Sequence, residues 1–260
     1  MKNILSRLRP GAARSAPPEF TAPIMPDRPF VAVGDIHGRA DLLADLGRRL
    51  EAECPDWPVV FLGDYVDRGD QSRDVLDMLM SVSETGSSPV HCLMGNHERM
   101  LLDALDDPER AAPRWLRNGG LQVLAGFGIA PPRGPGADPG ALRTMRDALE
   151  NAMGAARIAW LRARPLSWRS GNVWALHAGA DPHQPLDSQG DEVLLWGHPA
   201  FRRSPRRDGQ WVVHGHTIVE HPHTAEGRIA VDTGAYATGR LSAALIECGA
   251  VRFLQTGPDR

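Results

Sequence analysis

The chain has 260 residues, 42% hydrophobic and 23% charged, with a formal net charge of −3. That is ordinary globular usage, enough for one substantial α/β domain, and it lacks the basic surplus of a general nucleic-acid binder. No apolar run reaches the roughly 20 residues that span a bilayer, and the stretch from Met1 to Phe20, with Lys2, Arg7, Arg9 and Arg14, lacks the unbroken apolar core of a secretory signal. Cys54, Cys92 and Cys248 lie far apart without a CxxC pair, so neither a disulfide framework nor a thiolate metal site follows. A reducing cytoplasm is the expected compartment.

Residues 1–28 are rich in Pro and Ala without periodicity and are expected to form a flexible tail, with one domain over 29–260. A strand–helix rhythm then begins. Phe30 to Val33 is a short apolar run ending at Gly34-Asp35, and behind it Leu42, Leu43, Leu46 and Leu50 fall at helical spacing. Val59 to Leu62 ends at Gly63-Asp64 and is followed by Val75, Leu76, Leu79 and Val82 on a second amphipathic helix. Val90 to Met94 ends at Gly95-Asn96. Strand, polar turn, helix, strand predicts a mostly parallel sheet covered by helices.

Residues 101–164 are helical in places, with Gly and Pro crowded between Gly126 and Gly140. This segment is expected to be an inserted helical cap, with Pro131 to Gly136 as an exposed loop. Strand-like runs return at Val173–Leu176, Trp211–Val213, Ile229–Val231 and Ala243–Ile246, closer together, as in an antiparallel or mixed second sheet. His91 falls inside a strand, and His183, His221 and His223 lie among polar residues and are expected to be solvated.

Each apolar run ends in a polar cluster. In chain order these are Gly34-Asp35-Ile36-His37-Gly38, Gly63-Asp64-Tyr65-Val66-Asp67-Arg68-Gly69, Gly95-Asn96-His97-Glu98, His177-Ala178-Gly179 and His214-Gly215-His216-Thr217. In an open α/β sheet, ligands collect beyond the carboxyl ends of the strands, so these clusters are expected to converge. Asp35 and His37 can chelate one cation, and Asp64 can bridge two. Asn96, His177 and His216 offer an amide oxygen and two imidazoles. That donor set suits Mn, Fe or Zn, and a metal pair is a standard device for in-line displacement at phosphorus. Singly, each cluster also has a plain structural explanation, such as an Asp capping a helix; five in order do not.

The order GDIHG, GDYVDRG, GNHE, HAG and GHT resembles the phosphoprotein phosphatases of the calcineurin-like metallophosphoesterase superfamily, over about Val31 to Tyr236. The resemblance implies a two-sheet sandwich flanked by helices. It implies that Asp35 and His37 hold one metal, Asp64 bridges, and Asn96, His177 and His216 hold the other, with Mn most expected and Fe or Zn possible. A metal-bridging hydroxide would be the nucleophile. His97 is the candidate general acid, oriented by Asp67, because neighbours on an extended chain diverge and it cannot share the direction of Asn96. Arg68 is the candidate phosphate clamp. Glu98 is expected to fix Arg or backbone geometry, and Asp232 either supports the site or the fold.

One departure from the resemblance concerns a second clamp. Bacterial relatives usually carry an arginine soon after the Leu-Leu-Trp run, but here Leu194-Leu195-Trp196 is followed by Gly197-His198-Pro199, with Arg202 and Arg203 later as candidate substrate-binding residues. Trp115 and Asn118-Gly119-Gly120 either line the substrate groove or serve packing. The implied activity is phosphomonoester hydrolysis, foremost on phosphoserine or phosphothreonine in proteins. A symmetrical dinucleoside tetraphosphate hydrolase is the enzymatic alternative, since it shares the first three motifs. A catalytically silent binding scaffold is the third possibility, disfavoured because all six metal positions and His97 are present.

Overall fold

A computed structural model describes residues 20–85, 88–132 and 138–257. Two five-stranded sheets face one another. The first has the order β10-β9-β1-β2-β3, built from β1 (Phe30–Val33), β2 (Val59–Phe61), β3 (Val90–Cys92), β9 (Ser242–Glu247) and β10 (Ala250–Gln255). The second has the order β4-β5-β6-β8-β7, from β4 (Ser167–Ser170), β5 (Val173–Leu176), β6 (Trp211–His214), β7 (His223–Ala225) and β8 (Arg228–Ala230). The three N-terminal strands are parallel, joined through helices α1 (Ala40–Glu53) and α2 (Ser72–Thr85), as the strand–helix rhythm predicts.

The alternation of side chains along each strand assigns the layers. Val31, Val33, Phe61, Cys92, Ala243 and Leu245 join the cluster shared with the helices, where Leu43, Leu46, Leu50, Leu76 and Leu79 are buried. Their neighbours Phe30, Ala32, Val60, Leu62, Ala244 and Ile246 face Val173, Ala175, Val213, Ile229 and Val231 of the other sheet. The first sheet is therefore buried on both faces, which is why its strands read as continuous apolar runs. His91 lies on β3, the edge strand, with its ring packed 5.2 Å from that of Trp168.

One expectation needs correction. The run Ala243–Ile246 belongs to the first sheet, antiparallel to β1, because its inward side chains complete the core beside Val31 and Val33. Residues 101–164 carry the helices expected of the insert. They fold into α3 (Asn96–Asp106), α4 (Pro108–Trp115), α5 (Leu121–Gly126) and α6 (Pro139–Arg162), whose Leu101, Leu105, Trp115, Leu142, Met145 and Leu149 enter the same cluster as α1 and α2. Most of the expected loop at 131–136 lies outside the described residues.

Residues 1–19 lie outside the described residues, but 20–28 are fastened to the second sheet. The Asn172 side chain accepts from the Met25 amide at 2.7 Å and donates to the Pro23 and Gly209 carbonyls at 2.9 and 3.0 Å. Trp211 donates its indole N–H to the Ala22 carbonyl at 3.0 Å and packs edge-on against Phe20. Asn172→Ala should lower stability by about 2 kcal/mol, since three neutral hydrogen bonds are lost at one side chain. Urea unfolding would measure the loss, and limited proteolysis should show faster cleavage within residues 20–28.

Candidate metal centre

The five polar clusters meet at one end of the two sheets. Backbone bonds join them directly: the Ile36 and His37 amides donate to the Asp64 carbonyl at 3.0 and 2.8 Å, and the Gly215 amide donates to the His177 carbonyl at 2.8 Å. Several of these residues sit in the left-handed region, with φ of 47° at His37, 55° at Asp64, 69° at Asp67, 67° at Arg68 and 61° at His216. A backbone so disfavoured for residues with a Cβ is characteristic of functional sites. Gly95 is required where β3 passes β2, because a Cβ there would lie 2.3 Å from the Asp64 amide nitrogen.

Two donor groups share one carboxylate. His37, Asp64 and His97 form the first, and Asp64, His177 and His216 the second, with the candidate ligand atoms of each within 4.8 Å of one another. His37 holds its Nδ1 to the Val66 carbonyl at 2.8 Å, which leaves Nε2 3.4 Å from Asp64 Oδ2. His177 likewise donates Nδ1–H to the Leu62 carbonyl at 3.0 Å. Its Nε2 lone pair then faces the Asn96 amide oxygen at 2.8 Å and Asp64 Oδ1 at 3.4 Å. The same amide oxygen is 2.8 Å from His216 Nδ1. Imidazoles oriented by backbone carbonyls, with lone pairs converging on oxygen acceptors, fit a divalent cation.

The electrostatics agree. Burial drives the His37 and His216 imidazoles down to about 3 and about 4, and lowers His177, so all three are neutral as ligands must be. Asp64 loses solvation, but His177, His97 and His37 hold its carboxyl below the usual range. Burial pushes Asp35 well above that range, with Asp232 and Asp64 adding repulsion, and raises Asp232 to about 6. Mutually repelling buried carboxyls are what a divalent cation relieves.

Each expected residue has a definite place. The Asp35 carboxylate lies outside both donor groups and accepts from the His216 amide at 3.1 Å with each oxygen. Asn96 and His97 are not on an extended chain but in the first turn of α3, where successive side chains diverge by about 100°. His97 Nδ1–H donates to Asp67 at 2.6 Å, and Arg68 Nη2 donates to His97 Nε2 at 3.1 Å. Burial opposes a charge on His97, yet Asp64 and Asp67 outweigh it and raise the imidazole above its ordinary value. Glu98 contacts backbone only, accepting from the Asp64, Tyr65 and Gly95 amides at 2.8, 2.7 and 3.0 Å and from Val66 at 3.2 Å. Burial raises its carboxyl to about 7.

Arg202 and Arg203 are not brought to this cluster. Both are exposed, and Arg202 instead lines a cavity beside β7 and β8. Phe201, just before them, is anchored in the apolar cluster with Leu176, Leu194 and Val212. Residues that the sequence leaves ambiguous do reach the site. Trp115 is fully buried and donates its indole N–H to Asp67 at 2.9 Å. Gly119, at φ 112°, accepts from the Arg68 amide at 3.3 Å, and a Cβ there would lie 2.5 Å from that nitrogen. The Tyr236 ring packs 5.3 Å from that of His37, with the Arg68 guanidinium 4.7 Å from its centre. Trp196 stands edge-on 6.4 Å from His216. The Gly119-Gly120 pair beside Trp115 is the one sequence signal for this support.

A two-sheet sandwich with imidazoles and a shared carboxylate at its strand ends defines a metallophosphoesterase-type protein. The calcineurin-like phosphoesterase family matches residues 28–220, and the chain belongs to that family. Its sequence is similar to a Caenorhabditis elegans protein provisionally named a serine/threonine-protein phosphatase, at 46% identity over 74 residues. It is also similar to a protein phosphatase 2A catalytic chain of Dictyostelium discoideum, at 37% over 70 residues. Each match covers 27% of this chain but only 15% and 22% of the relatives. Solved structures share the fold. One provisionally described as a diadenosine tetraphosphatase has a TM-score of 0.60 at 22% identity, covering 92% of this chain and all of that one. A cold-active protein-tyrosine phosphatase of a psychrophilic Shewanella has 0.58 at 21%, covering 90% and 83%.

Glu98→Gln should destabilise the protein by about 3 kcal/mol, because a side-chain amide cannot accept from four backbone N–H groups as a carboxylate does. Denaturant unfolding with the slope held fixed would measure it.

Proposed function

We propose that the chain is a metal-dependent phosphomonoester hydrolase acting as a serine/threonine protein phosphatase. The observation that carries this is the Trp115–Asp67–His97 relay ending beside Arg68, at the edge of two donor groups that share Asp64. Asp35 and His37 would hold one metal, Asp64 would bridge, and Asn96, His177 and His216 would hold the other. Manganese is the metal we expect, and bound metals supply the charge that draws the phosphoryl oxygens and activates water. The phosphatase names of the partial sequence relatives support the protein substrate. Three free cysteines support a cytoplasmic location, and no described helix is long and apolar enough to cross a membrane.

The protein's own groups divide the remaining work. Arg68, stacked on Tyr236, offers its planar fork to phosphate oxygens. A phosphate competes for a guanidinium far better than a neutral imidazole does, so substrate draws Arg68 Nη2 away from His97 Nε2. The freed Nε2 then takes up a proton from solvent, and the resulting imidazolium, steadied by Asp67 at Nδ1, gives that proton to the leaving oxygen. Trp115 fixes the second oxygen of Asp67, so the carboxylate cannot rotate.

Chelator-treated protein should lose hydrolysis of a phosphoserine peptide and regain it when Mn is added. His97→Ala should lower kcat by about 10²–10⁴ while metal content stays unchanged. Preferred cleavage of diadenosine tetraphosphate over the peptide would replace the protein-phosphatase assignment with the dinucleotide hydrolase. Stoichiometric metal with neither activity would leave only the binding scaffold.

A further inference from the structure

The outer face of the second sheet carries a cavity of about 210 Å³, lined by Arg202, His214, Thr217, His223 and Arg228 among others. Its floor follows from the strand register. His214 pairs with Ala230, which pairs with His223, while Arg228 pairs with Ala225, so these side chains share one face of the sheet. Alanines at 225 and 230 leave space between the longer basic groups. The His214 ring is buried and fixed, with Nδ1–H donated to the Gly215 carbonyl at 3.1 Å and Phe201 packed edge-on at 5.0 Å. The ring borders the cavity.

The charge on this lining has one sign. Arg202 makes no side-chain hydrogen bond or ion pair among the described residues, and no described carboxylate lines the cavity. Arg228 is paired with the exposed Glu226 at 2.5 Å and reaches the Ser204 carbonyl at 3.5 Å, so one positive charge of the two guanidinium groups is left over. The volume is below the roughly 300–1,000 Å³ of pockets for drug-sized organic ligands. Guanidinium forks beside imidazoles, in a small space without acids, suit a tetrahedral oxyanion.

We propose that this cavity is a second oxyanion site, which takes inorganic phosphate or the phosphate of a monoester and is separate from the cluster around Asp64. It uses Arg202, which the sequence pattern assigns to the catalytic phosphate. His214 and Thr217 bracket the segment that carries His216, so an anion held here bears on the backbone of a candidate metal ligand.

The test is phosphate binding by the full chain, with and without Mn, followed by isothermal titration calorimetry. The metal-free protein should bind one inorganic phosphate saturably. Arg202→Ser and, separately, Arg228→Gln should weaken that binding at least tenfold, and Arg68→Ala should change it less than twofold. Arg202 is exposed, so its substitution should leave the thermal midpoint in place. Absence of saturable binding overturns the proposal, as does binding lost in Arg68→Ala but kept in Arg202→Ser. O-phosphoserine bound as tightly as phosphate, with the same dependence on Arg202, would identify a carried phosphoryl group as the ligand; phosphate bound alone would identify the free ion.

Discussion

The buried Asp64 carboxylate is the constraint around which the site is arranged. An isolated carboxylate would not stay ionised there, since burial opposes its charge. Three imidazoles hold the charge in place from different elements: His37 after β1, His97 in α3 and His177 after β5. His37 and His177 are neutral, so their attraction for the carboxylate falls well short of that between two full charges and does not repay its burial. That balance is why the remaining capacity of the cluster is for positive charge, and why a divalent cation is the natural partner.

Asp64 can occupy this position only because its backbone is held from outside the strand. Its left-handed φ is unfavourable for any residue with a Cβ. Glu98 grips the amides of Asp64, Tyr65 and Val66 together with that of Gly95, so one carboxylate fastens the end of β2 to the start of α3. The next loop positions, Asp67 and Arg68, are left-handed as well and are braced from the far side by Trp115 and Gly119. The strain is offset by a first sheet packed on both faces. Asp67 and Arg68 are thus set by packing.

The parts of the molecule legible in the sequence are those where local pattern and tertiary position coincide. The β1–α1–β2–α2–β3 run can be read because strands buried on both faces leave long apolar runs and amphipathic helices leave a 3.6-residue period. The motif residues can be read because each stands at a strand end beside glycine. Ala243–Ile246 reads into the wrong sheet because a strand's sequence does not say which neighbour it pairs with. Residues 101–164 stand apart in the sequence because Gly and Pro interrupt them, and that pattern does not tell that the apolar faces of α3 to α6 pack on the common core. Residues 20–28 look like a tail because their hold on the second sheet comes from single side chains such as Asn172 and Trp211, which leave no periodic trace.

The segment from His214 to His216 shows why spacing alone cannot assign a histidine. Along an ideal strand, residues two apart share a face, so both imidazoles would point to the same side of the sheet. Here β6 ends at His214, and His216 takes a left-handed φ of 61°. The alternation is broken at that bend. His214 stays on the outer face against Phe201, while His216 turns to within 2.8 Å of the Asn96 amide oxygen. Gly215 permits the bend because it has no side chain: a Cβ would lie 2.0 Å from an Asp35 carboxylate oxygen. One glycine therefore separates two neighbouring histidines into two environments, one facing the buried carboxylates and the other facing arginines. Arg202 lines the cavity on the His214 side. The bend at Gly215 thus joins the buried cluster around Asp64 to the arginine-lined cavity on the outer face.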